Sequence, residues 1–164
     1  MKKLIIVTAV LAVLTVVVSA QTSGTLFLQG SVPEILEITV NAEPGSDALD
    51  LSIDASGVKV ATVIERSNKR TGYTVTLESS NAMAAGSDTP QFVDTTGTAS
   101  LNYSISYGGS GITLSSGSAV ISDVSTKSPG SGAANDVAIS YNGATDFPYE
   151  GTYSDTLTFT IAAK

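Results

Sequence analysis

Apolar and polar residues alternate with a period of two through most of the chain beyond residue 21, and apolar residues at helical spacing are hard to find there. "TLFLQGSV" places Leu26, Leu28 and Val32 on one face, and "ILEITVNA" repeats the pattern with Leu36, Ile38 and Val40. "ALDLSID" sets Leu49, Leu51 and Ile53 against polar neighbours, "ASG" reads as a turn, and "VKVATVIE" and "GYTVTLESS" follow as strands. From Ser80 to Gly97 no period is sustained, which predicts a long loop holding a short strand at Phe92 and Val93. "SLNYSISYGG", "GITLSSG", "SAVISDVS" and "DVAISYNG" continue the series. The chain closes on "YSDTLTFTIAAK", where Leu157, Phe159 and Ile161 alternate with threonines. Many short strands with regular turn signals predict an all-β domain, a sandwich or small barrel. A transmembrane barrel would need longer strands and aromatic girdles, and ten aromatic residues serve it poorly.

The first residues follow a different rule. Lys2 and Lys3 precede an apolar run from Leu4 to Val18, and Val18 and Ala20 stand at the small-residue positions of a cleavage site. That layout predicts a secretory signal peptide over residues 1–20 and one mature domain over 21–164, exported to the periplasm, cell surface or exterior. The run is shorter than the roughly 20 residues a membrane span needs, so no membrane insertion is expected after cleavage. Removing Lys2 and Lys3 leaves six basic residues against fifteen acidic, a net charge of −9. Such a surface repels nucleic acid. Cysteine is absent, so no disulfide holds the fold and the core must stabilise it.

In "EGTYSDTLTFTI", Tyr153 is expected to bury its ring at the start of the closing strand while its hydroxyl reaches a nearby backbone group, as in the tyrosine corner of Ig-like sandwiches. "GTYSDTLTFTI", "SGTLFLQGSV" and "RTGYTVTLESSNA" together resemble the fimbrial-subunit and spore coat protein U type of bacterial surface protein, which is related to chaperone-usher pilins. The resemblance implies an Ig-like antiparallel β-sandwich of about eight to ten strands. It also implies a missing strand supplied by an identical or related subunit through β-augmentation, with a periplasmic chaperone and usher as partners. The chain departs from that pattern at three points: only Gln21, Thr22 and Ser23 precede the first apolar stretch, the usual cysteine pair is missing, and "IAAK" carries no aromatic residue. Two readings of Leu26, Leu28 and Val32 therefore stand side by side. They form an edge strand of their own domain, or they are themselves the donated strand and "ILEITVNA" begins the recipient.

With neither His nor Cys, most general-base, thiol and soft-metal chemistry is closed, and no enzyme activity or cofactor is expected. "FVDTTGT" is similar to an aspartic-protease signature around Asp94, but a second such motif is lacking. Ser56 and Lys59 have Ser-x-x-Lys spacing in a turn context rather than on a helix. Asp47, Asp50 and Asp54 suggest calcium without matching an EF-hand, and Glu65 and Glu78 sit where a hairpin would pair them as exposed carboxylates. Asn102 fits a glycosylation acceptor placed awkwardly in mid-strand. "ERSNKRTG" gathers Arg66, Lys69 and Arg70, half of the six remaining cations, into a solvated turn or a contact for an acidic partner. Two functions follow: a structural or adhesive surface subunit assembling by strand donation, or a monomeric binding module for a glycan or protein, its site on the Ser80–Gly97 loop and the basic turn. Sugar sites present exposed aromatics, whereas most tyrosines here alternate inward with Leu and Ile.

Overall fold

The computed structural model describes residues 22–164, so the predicted signal peptide lies outside the described residues. The chain divides into two units, residues 1–32 and 33–164. In the first, residues 22–32 adopt no regular secondary structure, and Leu26, Phe27, Leu28 and Val32 are each more than 80% exposed. The strand expected over "TLFLQGSV" is therefore not formed.

The second unit is an antiparallel β-sandwich of ten strands. β1 (Leu36–Ala42), β2 (Asp54–Ser67), β8 (Ala133–Asn142), β5 (Ser100–Tyr107), β4 (Gln91–Asp94) and β9 (Tyr153–Ser154) line up in that order, with β6 (Ser110–Ile112) also on β5. β10 (Leu157–Ala163), β3 (Tyr73–Ser79) and β7 (Ser118–Val124) form the smaller sheet. Period-two alternation explains the core. Leu101, Tyr103, Ile105 and Tyr107 of β5 are buried, as are Val137, Ile139 and Tyr141 of β8 and Tyr73, Val75 and Leu77 of β3. Phe92 packs on Tyr103 with ring centroids 4.5 Å apart, and Tyr107 stacks on Phe159 of the opposite sheet at 6.4 Å.

Three local readings are corrected. "ALDLSID" is a loop, and the strand begins at Asp54 and runs through the expected "ASG" turn. Gly57, at φ 64°, sits in a bulge between Ala55 and Val58, where the hydroxyl of Ser140 accepts its N–H. A second bulge between Lys59 and Ala61 switches the inward face, so that Ala61, Val63, Glu65 and Ser67 are buried. The Ser80–Gly97 stretch is not one loop. α1 (Ser80–Ala85) opens it, capped by the Ser79 hydroxyl accepting from the Ala82 N–H and closed by Gly86 in the left-handed region. The closing segment divides into β9 and β10, which belong to different sheets and are joined by Asp155 and Thr156.

Two buried polar clusters join the layers. Glu65 of β2, 1% exposed, accepts from the Tyr107 hydroxyl, from Ser122 Oγ of the smaller sheet at 3.0 Å and from Asn135 Nδ2 at 3.3 Å. It is neither exposed nor paired with Glu78 across a hairpin, because β2 and β3 lie in different sheets. Asp155 accepts from Tyr103 Oη and Ser79 Oγ, both at 2.6 Å, and from the N–H groups of Asn81 and Thr156. Burial, then the bond to Glu65 and its charge, push the Tyr73 hydroxyl up to about 12. Burial and a carboxylate partner likewise raise Tyr103 and Tyr107, in each case with burial the larger cause.

Candidate assembly site

The two sheets share an incompletely covered side. β1 pairs only with β2 and β10 only with β3, so among the described residues each keeps one free edge. The two strands approach within 8 Å between Cα atoms, yet no ladder joins them. Their apolar residues are less covered than those of the central strands. Leu36, Ile38, Leu157, Phe159 and Ile161 are half-buried and Val40 is 48% exposed, whereas Val63, Val75 and Leu77 are sealed. A free strand edge beside half-covered apolar side chains is the geometry that accepts another strand. The first unit contains an apolar stretch of matching sequence period: Leu26, Leu28 and Val32 share one parity of the sequence and are exposed to solvent.

The other candidate positions are placed as follows. Arg66 bonds to Glu37 at 3.2 Å and to the Gly130 carbonyl, and Lys69 meets Glu34 at 2.6 Å. Arg70 is exposed and makes no ion pair among the described residues. Asp94 accepts from the Thr98 and Ala99 N–H groups at 2.8 and 2.9 Å and from the Thr96 hydroxyl. These bonds, the Thr96 hydroxyl foremost, hold its carboxyl below the usual range, and they make "DTTGT" a self-closing turn. Ser56 and Lys59 lie on a strand, and Lys59 pairs with Glu43 and Asp136, each at 2.9 Å. Asp50 is engaged by Ser52, and Asp54 by the backbone and hydroxyl of Thr145. Among the described residues, no three acidic side chains converge on a point that would hold a metal ion.

Tyr153 donates from its hydroxyl to the Tyr149 carbonyl at 2.9 Å, four residues upstream, while its half-buried ring packs against the core. Tyr153→Phe keeps that packing and is expected to cost about 1 kcal/mol through the lost bond, read as a lower denaturant midpoint with an unchanged m-value. An unaltered midpoint removes the hydroxyl from any part in stability.

The loop before β2 and the loop between α2 (Gly143–Asp146) and β9 enclose a cleft of about 770 Å³, lined by Asp47, Asp50, Phe147, Tyr149 and Glu150 among others. Phe147 and Tyr149 stand 87% and 82% exposed on either side of Pro148. Four tyrosines are buried as alternation predicts, but Tyr149 faces outward. The two loops come from distant parts of the chain, and nothing local in either foretells their meeting.

No family model matches the chain, and no curated protein matches it. Among solved structures it is similar to the CooA pilin subunit from enterotoxigenic Escherichia coli, at 13% identity and a TM-score of 0.38, covering 75% of this chain and 76% of that one. At that score the assignment to the β-sandwich class rests on the chain's own sheets, not on the likeness.

Proposed function

We propose that this protein is a secreted, non-enzymatic structural subunit of a bacterial surface assembly, and that copies join by strand donation. Leu26, Leu28 and Val32 of one copy enter the side of the next between β1 and β10. The observation that carries the reading is the pair of unpaired edges flanked by half-covered apolar residues. An inserted strand needs roughly 10 Å between its neighbours, twice the strand spacing, so β1 and β10 part slightly to admit it. Main-chain bonds to both edges supply affinity, and the alternate leucines cover Ile38, Phe159 and their neighbours.

Native size analysis of the exported full chain tests this. A ladder of multimers is expected, and Leu28→Asp, which puts a charge among apolar neighbours, is expected to abolish it. A wild-type protein that stays monomeric and unfolds in one cooperative step ends the proposal. The alternative binding module is favoured by one observation, the exposed Phe147 and Tyr149 at the cleft; its expected site on Ser80–Gly97 is instead occupied by α1 and β4.

A further inference from the structure

Charge is distributed unevenly along the sandwich. Of the six cations beyond residue 21, five gather at one pole: Arg66, Lys69 and Arg70 at the β2–β3 turn, with Lys127 and Lys164 beside it. Ser128 N–H bonding to the Ser67 carbonyl, and Lys164 N–H to that of Gly72, bring those last two segments to the turn. The opposite pole, the full length of β2 away and so roughly 40 Å distant, holds the cleft. Asp47, Asp50, Glu150 and Asp155 line it, and its lining contains neither Lys nor Arg.

The cleft is also firmly built. Tyr141 Oη donates to the Asp50 carbonyl at 3.0 Å, Thr145 holds Asp54, and Tyr153 holds Tyr149. Gly143 approaches the first loop so closely that an added Cβ would meet the Leu51 oxygen at 2.0 Å. Phe147 sits at φ 47°, a conformation that L side chains adopt at a cost, and Pro148 stiffens the link to Tyr149. Two aromatic rings thus stand in water on a fixed loop, ringed by carboxylates: an arrangement suited to a cation that brings its own flat face. Arg66, Lys69 and Lys164 are already paired within the chain, whereas Arg70 and Lys127 at the opposite pole are exposed without ion partners among the described residues.

We infer that this cleft receives the basic turn of a second copy of the chain, Arg70 lying over Phe147 and Tyr149 while Asp47 and Glu150 face the neighbouring cations. Copies then meet head to tail. Such a contact is heterologous, so it propagates instead of closing into a symmetric pair. With six basic against fifteen acidic residues beyond residue 21 whole copies repel, but within about 10 Å at moderate salt the opposed poles govern the contact. The inference rests on the assembly reading only in naming another copy as the partner, and it is separable by experiment.

The test uses the full exported chain carrying Leu28→Asp, which removes strand donation. Sedimentation velocity is expected to show weak association that falls as salt rises. Arg70→Glu and Glu150→Lys, each added alone, are expected to weaken it by roughly tenfold, since each turns an attraction into a repulsion. Mixing those two variants is the decisive step. The intact cleft of the first meets the intact turn of the second, and the reversed turn of the first meets the reversed cleft of the second with opposite charge, so association returns only in the mixture. Association indifferent to salt and to both reversals, or a mixture that stays dissociated, overturns the inference. So does retention of association in Phe147→Ser/Tyr149→Ser together with loss of binding to a neutral oligosaccharide, which would make the cleft a sugar site. Failure of the Leu28→Asp collapse, by contrast, would strike only at strand donation.

Discussion

Glu65→Ala is expected to lower the unfolding free energy by about 3 to 5 kcal/mol, enough to leave much of the population unfolded at growth temperature. Three separate costs add. The Tyr107 hydroxyl, Ser122 and Asn135 lose their shared acceptor in the interior, and each unsatisfied donor costs about 1 to 3 kcal/mol before relaxation. The removed carboxyl and methylenes leave a void between the sheets. Finally, the side chain through which Ser122 of β7 is tied to β2 is gone. Glu65→Gln keeps the volume and one acceptor oxygen, so it is expected to recover at least half of the loss. Urea unfolding of the two variants side by side makes the comparison. Equal, small losses for both would show that the cluster is a bystander and that apolar packing alone holds the layers.

The second large effect lies at high pH. Tyr73, Tyr103 and Tyr107 have folded-state values raised above the unfolded value of about 10, so the neutral hydroxyl is the form the fold retains. Their contribution is complete below pH 10 and is lost as pH rises towards the folded values, because the unfolded chain then releases protons that the folded chain keeps. Each retained proton gives a slope of about 1.4 kcal/mol per pH unit. Between pH 10 and 12 the three tyrosines together therefore remove several kcal/mol, a large fraction of the stability of a domain this size. Tyrosinate absorbance and circular dichroism are expected to change together. Three tyrosines ionising smoothly near 10 with the sheets intact would contradict this account. So would a loss of structure that is already complete below pH 10.

Alternation made most of the core readable in advance. Leu101, Tyr103, Ile105 and Tyr107 are buried in the order their spacing predicts, and Leu157, Phe159 and Ile161 turn their half-buried side inward. What alternation could not show was a change of phase. The bulge at Lys59/Ala61 reverses the inward face of β2, so Glu65 enters the core on the same parity as Val63. That parity is visible in "VIERS", but glutamate is a residue that ordinarily faces water, so its identity argues against the position its spacing indicates. α1 escaped notice because six residues of Ser, Asn, Ala and Met carry too few apolar positions to display a helical period. The free edges of β1 and β10 are properties of sheet order, which no local pattern encodes, although the apolar stretch suited to fill them was legible from Leu26 to Val32. The cleft depends on loops about a hundred residues apart.

The carboxyl-to-hydroxyl clamps between the layers carry a practical corollary. With no thiol anywhere in the chain, folding calls for no thiol oxidase or disulfide isomerase, and reductants should leave the denaturation curve where it was. Alkalinity, which ionises the raised Tyr103 and Tyr107 hydroxyls, and not electron supply, is the environmental variable to which this joint answers.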